Sequence, residues 1–342
     1  MASPDSTGTL DATRLLARSR ELLQQPVLVT GATGFVGANV TRALVDAGAR
    51  VHVTLQASSS TWRLADVIGR VETYVAGLTD TEALERTFEA VRPGVVLHLA
   101  TPRVSNESAR ARFVEVTVLG AANLLRLSRE YGVQRVVVTG SSLEYGPSDT
   151  PLTEDASLEP TTVHGFAKAA ASLLWQQAAR DRGMPVCVLR LFHVYGPWES
   201  RHRLLPSAIR AGLDGVPLPL TAGGGARDWV FVDDVVDAIV RAVGFESRGE
   251  IINVGSGREY SNDAVVACVA EALRRPLRIE SGAFRPRAGE APHRRADRAK
   301  AARLLGWEPQ VSLGQGIART IEWFGSHPSA WSAPDDAPPA VI

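Results

Sequence analysis

Residues Thr30–Gly37 read TGATGFVG, with three glycines spaced as GxxGxxG. The preceding run, Pro26–Val29, is apolar and rich in β-branched residues, which predicts a buried strand. Apolar residues then recur at helical spacing from Val36 to Ala47, and Gly48 predicts the end of that helix. In such a unit the first glycine allows a tight turn, the second a close approach to a diphosphate, and the third the packing of helix on strand. The free N–H groups and the helix dipole then face a dinucleotide, although the usual spacing is GxGxxG.

The composition restricts the class of protein. The chain has 342 residues, is 45% hydrophobic, and carries 37 basic and 37 acidic residues. This is enough apolar material for a large core, and the balanced charge gives no indication of nucleic acid or an anionic membrane as a partner. Cys187 and Cys268 lack the spacing of metal ligands, so we expect no disulfide framework, no metal site and a cytoplasmic location. No apolar run reaches the roughly 18 residues of a membrane-spanning helix.

Strands and helices alternate regularly through the first half of the chain. After the glycine turn we predict strands over Val51–Leu55, Val71–Ala76, Val95–Ala100, Arg135–Thr139 and Val186–Phe192. Between them we predict a helix over Thr81–Val91, capped by Asp80, and a long helix ending near Tyr131. This alternation predicts an α/β fold with a doubly wound parallel sheet of the Rossmann type, with ligands at the carboxyl ends of the strands. His98 lies inside an apolar run and is predicted to be a core histidine.

The chain divides into four regions. Residues 1–25 contain an amphipathic helical extension, for which we favour a packing or dimer-edge role over targeting. Residues 26–192 are the dinucleotide-binding domain. Residues 193–326, richer in Gly, Pro and Arg, form mainly a smaller, interleaved C-terminal α/β substrate lobe, with some strands returning to the main sheet. Residues 327–342 are rich in Pro, Ala and Ser and are expected to be a flexible tail.

The end of the second predicted strand bears on cofactor choice. A carboxylate at this place binds the ribose hydroxyls of NAD and repels a 2′-phosphate. Here Leu55 occupies it, followed by a Ser-rich loop that ends in Arg63. The sequence therefore favours NADP(H) over NAD(H), with Ser58 and Arg63 near the 2′-phosphate. The alternative is a plain polar loop with Arg63 in solvent.

Further motifs follow the glycine turn in a fixed order: LHLA (97–100), SSLEYG (141–146), RLFHVYGP (190–197), GGGARDWVFVDDV (223–235), INVGSG (252–257) and LGWEP (305–309). With these motifs the chain resembles the extended short-chain dehydrogenases/reductases, specifically the NAD-dependent epimerase/dehydratase family acting on nucleoside-diphosphate sugars. The resemblance runs from about Pro26 to Phe324.

The resemblance implies a catalytic set of a hydroxyl, a tyrosine and a lysine. Ser141 matches the hydroxyl and Lys168 the lysine, whereas His164 stands at the tyrosine position. In one interpretation His164 exchanges a proton with the substrate, with a pKa that Lys168 lowers towards the neutral form. In another, His164 is only a wall of the site. A third takes the phenol from Tyr145.

The same resemblance assigns the binding residues. Cofactor contacts are implied for Gly31, Thr33, Gly34, Phe35, Val36, Gly37, Ser58, Arg63, Leu78, Leu99, Ala100 and Lys168. Substrate contacts are implied for Ser142, His193, Arg227 and Arg287, the two arginines clamping a diphosphate. Most other arginines near these loops, Arg203 among them, are expected to be solvated.

Several positions depart from the family pattern. Gly77 replaces an aspartate that meets the adenine, Thr117 an asparagine, and His193 the asparagine before VYGP. Ser142-Leu143 replaces the Asp-Glu pair of the 4,6-dehydratases, so dehydration of that type is not expected. Glu144, the next residue, is predicted to be structural because a strand-like backbone turns it to the other side.

The sequence thus predicts an NAD(P)-dependent ketoreductase that delivers hydride to carbon 4 of a keto-deoxysugar nucleotide. The first alternative is a sugar-nucleotide epimerase that acts by transient oxidation. The second, from another class, is a non-redox lyase or cyclase, or a cofactor-binding protein without enzymatic activity. A homodimer is implied by the resemblance, with Ala-rich helix faces that allow close packing.

Overall fold

A computed structural model describes residues 12–102, 107–221, 225–284 and 293–333. Its strands are β1 (Val27–Thr30), β2 (Val51–Leu55), β3 (Glu72–Val75), β4 (Val95–His98), β5 (Arg135–Ser141), β6 (Val186–Leu191), β7 (His193–Tyr195), β8 (Leu218–Thr221), β9 (Arg227–Phe231), β10 (Glu250–Val254), β11 (Glu259–Tyr260) and β12 (Ile279–Phe284). Its α-helices are α1 (Ala12–Leu22), α2 (Phe35–Asp46), α3 (Thr81–Val91), α4 (Glu107–Glu130), α5 (Val163–Arg182), α6 (Leu204–Asp214), α7 (Val232–Gly244), α8 (Asn262–Leu273), α9 (Ala299–Leu305) and α10 (Leu313–Ser326).

The main sheet has seven parallel strands in the order β10-β6-β5-β4-β1-β2-β3. The chain order reverses between β1 and β4, which opens a crevice at their carboxyl ends. All residues of β1 and β4 are buried, as expected for β-branched runs covered by helices on both faces. The doubly wound parallel fold predicted from the sequence is confirmed. The predicted strand from Val95 to Ala100 ends two residues earlier, because Leu99 and Ala100 leave the strand and enter the wall of the crevice.

The helical extension packs on the main body. Leu15 in α1 is buried, and the Ser19 hydroxyl donates to the Val240 carbonyl of α7 at 2.8 Å. Residues 1–11 of the predicted extension lie outside the described residues, and its packing role stays a prediction.

Strands outside the main sheet come from the region after residue 192, which we call the smaller lobe. It holds a three-stranded sheet in the order β11-β9-β7 and a two-stranded sheet of β12 and β8, while β10 returns to the main sheet beside β6. The predicted flexible tail does not begin at residue 327. Residues Pro328–Trp331 form a 3-10 helix, and the Trp331 ring stacks on Phe324 with centroids 4.3 Å apart. Aromatic contact area outweighs the disorder-prone composition at this point.

Among the described helices, we find none with the length and apolar character needed to cross a membrane.

Candidate active site

A cavity of about 840 Å³ lies at the carboxyl ends of β1, β4 and β5. This volume is in the range of small-molecule sites. The cavity is lined by thirteen residues that the sequence assigned to cofactor or catalysis: Gly31, Thr33, Gly34, Phe35, Val36, Gly37, Ser58, Leu78, Leu99, Ala100, Ser141, His164 and Lys168. The fold thus brings the glycine turn and the three candidate catalytic groups to one site.

The glycine turn forms the floor on the side of β1. Gly31 has a φ of +79°, and a Cβ added to it would lie 2.5 Å from both the nitrogen and the Cα of Ala100. A side chain at Gly31 is therefore excluded by backbone conformation and by space. Gly34 is the N-cap of α2 and has no side chain to cover the first turn. The N-terminal N–H groups of α2 are consequently open to an anionic group such as a diphosphate.

Arg63 does not take the predicted place beside the ribose. Its side chain is buried outside the cavity lining, where Nε donates to the Trp198 carbonyl at 2.8 Å and Nη1 to the Thr33 carbonyl at 3.4 Å. The guanidinium thus holds the glycine turn against the smaller lobe. The nearby Ser58 does line the cavity, so only part of the predicted loop faces the ligand.

Ser141 ends β5 and begins a short 3-10 helix, Ser142–Glu144. Its Oγ accepts from the Leu143 N–H at 3.1 Å, while the Glu144 carboxylate accepts from the Ser141 N–H at 2.8 Å. This reciprocal arrangement is a capping box. Because Oγ already accepts a main-chain hydrogen bond, the hydroxyl hydrogen is left to donate into the cavity.

His164 and Lys168 lie one turn apart on the same face of α5. Thr162 caps the helix by accepting from the Gly165 N–H at 3.0 Å. A Cβ on Gly165 would lie 2.0 Å from the Leu143 carbonyl oxygen. Glycine at this position therefore allows the first turn of α5 to lie directly against the turn that carries Ser141.

The two basic side chains are strongly affected by their surroundings. Lys168 Nζ donates to the Thr139 carbonyl at 2.8 Å, and burial lowers the pKa of this lysine to about 8, with the Glu144 carboxylate opposing the shift. Burial, then the charges of Lys168 and Arg203, lowers the pKa of His164 to about 3. The imidazole is therefore neutral at pH 7, in line with the sequence-based expectation. Its ring lies 5.0 Å from the ring of Phe113, centroid to centroid.

Tyr145 is not part of the cavity. Its ring is fully buried, its hydroxyl donates to the Asn253 side chain at 2.8 Å, and its pKa is raised to about 12 by burial. The third interpretation, a phenol supplied by Tyr145, therefore has no geometric support. His98 is likewise the predicted core histidine, buried and 2.8 Å from the Thr30 hydroxyl.

The three predicted substrate residues that the structure describes, Ser142, His193 and Arg227, lie outside the cavity lining. Ser142 is buried, and the His193 ring packs 4.2 Å from that of Trp229. Arg227 donates to the Ala226 carbonyl, and Arg287 lies outside the described residues. Burial, followed by the charges of Arg203 and Arg227, holds the pKa of His193 well below its usual range.

Sequence reasoning missed several cavity residues, three of which bring a positive charge or an aromatic ring to the site. Arg203 lines the cavity and lies 3.4 Å from the His193 ring nitrogen, although it was expected to be solvated. Arg112 and Phe113 also line it. The place of this pair in the chain could have indicated that it lines the site. Both residues lie on α4, which follows β4, and the helix after a parallel strand begins at the ligand-binding edge of the sheet. Within the described ranges no cluster of His, Cys, Asp or Glu is suited to a metal ion.

A glycine turn at the reversal point of a parallel sheet, with Ser, His and Lys beside it, defines a dinucleotide-dependent enzyme of the Rossmann class. Residues 27–255 match the model of the NAD dependent epimerase/dehydratase family. The chain belongs to this family.

Three similar proteins illustrate its range. UDP-glucose 4-epimerase of Mycolicibacterium smegmatis is 32% identical, over 87% of this chain and 97% of that protein. The solved epimerase Mth375 of Methanothermobacter thermautotrophicus has a TM-score of 0.84 and 30% identity, covering 94% of this chain and 98% of its own. The dTDP-glucose 4,6-dehydratase DesIV of Streptomyces venezuelae, solved with NAD, has a TM-score of 0.81 and 28% identity, covering 90% of this chain and 99% of its own.

The predicted preference for NADP(H) is wrong. The matched family is described as NAD dependent, and the DesIV structure holds NAD. The inference rested on the missing carboxylate at Leu55 and on Arg63. The Arg63 guanidinium donates to main-chain carbonyls and lies outside the cavity lining, so it is not placed to bind a 2′-phosphate as the prediction required.

Proposed function

We propose that this chain is an NAD(H)-dependent ketoreductase that delivers hydride to a keto group, at carbon 4, of a nucleoside-diphosphate sugar. The observation that carries the proposal is the convergence of Ser141, His164 and Lys168 on the cavity that the glycine turn also lines. The tight turn at Gly31, where a Cβ would overlap the main chain of Ala100, and the open first turn of α2 fit a dinucleotide diphosphate. Bound NADH would supply the hydride.

Reduction matches the protonation states of the site. The substrate oxygen gains negative charge as hydride arrives and needs hydrogen-bond donors and a proton. Ser141 has a free hydroxyl hydrogen, neutral His164 has a ring N–H, and Lys168 is an ammonium with a pKa of about 8. As a base, by contrast, an imidazole with a pKa of about 3 accepts a sugar hydroxyl proton poorly. We assign Ser141 and His164 to the substrate oxygen, and Lys168 to the nicotinamide ribose and the proton supply.

Dehydration lacks the required groups. A 4,6-elimination needs an acid and a base beside neighbouring sugar carbons, and neither Ser142 nor Leu143 can shuttle a proton at neutral pH. Ser142 is also buried away from the cavity lining.

The substrate diphosphate would be held by arginines at the smaller lobe. Arg203 lines the cavity, and Arg227 lies on β9 behind the nearby His193. Guanidinium groups bind phosphate oxygens in a bidentate manner, which favours arginine at such positions. Arg287 remains part of this assignment on its sequence match alone.

Epimerisation by transient oxidation is the second candidate. It is favoured by the similarity to UDP-glucose 4-epimerase, at 32% identity over 87% of this chain. Such a reaction returns hydride to the opposite face of the sugar without net consumption of cofactor.

A homodimer belongs to the same proposal. Phe166 and Leu173 on α5 are 57% and 52% exposed, and Leu119 on the adjoining α4 is 52% exposed. Apolar side chains grouped on two packed helices would be covered by a second copy of these helices. Sedimentation of Leu173→Glu against the unaltered protein tests this surface.

Two sets of incubations test the proposed function. The purified protein is mixed with NADH and a panel of 4-keto-deoxysugar nucleotides, and loss of NADH absorbance is followed. A second set, with NAD⁺ and UDP- or dTDP-hexoses, is followed by proton NMR for epimers. Lys168→Met serves as the matched inactive variant.

NADH oxidation with a keto sugar supports the reductase, and interconversion of epimers without net oxidation supports the epimerase. Cofactor binding with neither reaction would overturn both and support a non-redox role.

A further inference from the structure

Glu144 is a buried carboxylate just behind the cavity wall. Its side chain is 0% exposed; Oε1 accepts from the Ser141 N–H at 2.8 Å, and Oε2 accepts from Arg190 Nε at 2.7 Å. A Cβ on Gly140 would lie 2.5 Å from Oε1. Gly140 of β5, which has no side chain, therefore leaves the space that the Glu144 carboxylate occupies.

The turn that Glu144 closes lies against the first turn of α5, the helix that carries both other catalytic candidates. Leu143, at its centre, donates to the Ser141 hydroxyl and places its carbonyl against Gly165, next to His164. Lys168 is bound to the Thr139 carbonyl, two residues before Ser141. The carboxylate is close enough to act on the ammonium through space, and it opposes the fall of the Lys168 pKa that burial causes.

The charged surroundings of Lys168 come from several elements. His98 lies on β4 and His164 on the same helix as Lys168, and both imidazoles are held neutral at pH 7 by lowered pKa values of about 3. Arg203 lies beyond His164, and Arg190 on β6 pairs with Glu144. Among these groups Glu144 is the one that carries negative charge.

We propose that Glu144 is a positioning residue for this active site: it fixes Ser141 through the main chain and stabilises the Lys168 ammonium, while Arg190 anchors the carboxylate. The inference rests on the proposed roles of Ser141 and Lys168. A buried ion pair is a poor source of stability compared with apolar packing. We therefore explain the buried Glu144 carboxylate by its effect on the neighbouring catalytic candidates, Ser141 and Lys168.

The chain offers an unusually clean test, because Lys168 and Lys300 are its only lysines. Protein grown with ¹⁵N,¹³C-lysine gives two side-chain signals, and Lys300→Arg assigns them. The titration midpoint of Lys168 is then read directly, without turnover. Removing an opposite charge close to an ammonium typically lowers its pKa by about one unit or more. We therefore expect Glu144→Gln to lower the midpoint by roughly one pH unit.

Two variants separate charge from structure. Glu144→Asp keeps the negative charge and should hold the midpoint close to that of the unaltered protein. Glu154→Gln is the matched control, since Glu154 accepts from the Asn253 N–H at 2.8 Å and is not among the groups that shift the Lys168 pKa. It should leave the Lys168 midpoint unchanged.

An unchanged midpoint in Glu144→Gln, or an equal fall in Glu154→Gln, would overturn the inference. If Glu144→Gln does not fold, the double variant Glu144→Gln/Arg190→Met removes both buried charges, and a smaller fall is expected there because loss of the Arg190 cation partly offsets loss of the carboxylate. If the protein turns over none of the sugar nucleotides, the proposed function is refuted, but the titration midpoint of Lys168 can still be measured. The two failures are therefore distinguishable.

Discussion

Replacing Gly31 with alanine should damage both the fold and the cofactor site, and the structure gives the size of the effect. The residue has a φ of +79°, which costs an L-amino acid about 1–2 kcal/mol. Its new Cβ would also lie 2.5 Å from Ala100 N and Cα and 2.7 Å from the Leu99 carbonyl carbon. All three are main-chain atoms that follow β4 directly, and β4 is paired with β1. The overlap cannot be relieved by a side-chain rotation and adds about 1–3 kcal/mol.

Gly48→Ala is the matched control. Gly48 also has a φ of +79°, but a Cβ there would meet nothing within 4 Å. Gly48→Ala should therefore lower the free energy of unfolding only by the cost of the positive φ, about 1–2 kcal/mol. Urea denaturation followed by circular dichroism measures the free energy of unfolding of each variant, and we expect a total loss of about 2–5 kcal/mol for Gly31→Ala.

Calorimetric titration with NAD⁺ completes the comparison. A displaced turn moves the N–H groups that face the diphosphate, so Gly31→Ala should bind NAD⁺ at least about tenfold more weakly, or about 1.4 kcal/mol. Gly48→Ala should bind it normally. Equal destabilisation by the two substitutions, or unchanged NAD⁺ affinity in Gly31→Ala, would refute this account of the turn.

Three further predictions concern other parts of the molecule. His164→Ala should lower turnover about 100-fold or more with NAD⁺ affinity kept, because a positioned hydrogen-bond donor to the substrate oxygen is lost; activity within a few-fold of normal removes His164 from the mechanism. The Lys168 pKa of about 8 lies below the usual 10.5, so the folded chain binds fewer protons between these values and its stability should rise with pH there. Lys168→Met should abolish this rise in urea denaturation at several pH values, and a persistent rise contradicts the assignment. Trp331→Ala should cost about 1–3 kcal/mol of unfolding free energy, since its ring stacks on Phe324, and an unchanged value would mean that the C-terminal 3-10 helix contributes nothing.

Much of the fold was predictable because its signals are local. The helix over Thr81–Val91 and the strand over Val51–Leu55 have the predicted bounds, since a capping aspartate and a period-two pattern act within a few residues. The predicted tail was wrong at Pro328–Trp331 for the opposite reason. Its composition indicates disorder, and contacts with Phe324 and Arg201 order it.

The candidate site was predictable in its glycine turn and its three candidate catalytic groups, but not in several of the other residues that line the cavity. Motif positions along the chain led to Ser141, His164 and Lys168, and to the glycine turn. Where long side chains point was not predictable. Arg63 turns to the carbonyl of Trp198, which lies 135 residues away, and Arg203 enters the cavity from the smaller lobe. A guanidinium on a flexible stem reaches whichever acceptors the fold brings near, and sequence spacing does not record them.

By itself, the sequence determined the parallel α/β architecture and the dinucleotide turn, because these depend on residue type and short-range spacing, while the three candidate catalytic groups were implied by the family resemblance. Only the tertiary structure decided that burial is the main cause of the neutral state of His164, that Lys168 has a pKa of about 8, and that Glu144 binds the Ser141 main chain and acts on Lys168. The physical reason is that protonation follows burial and nearby charge, and both are set by elements that meet only when the chain has folded.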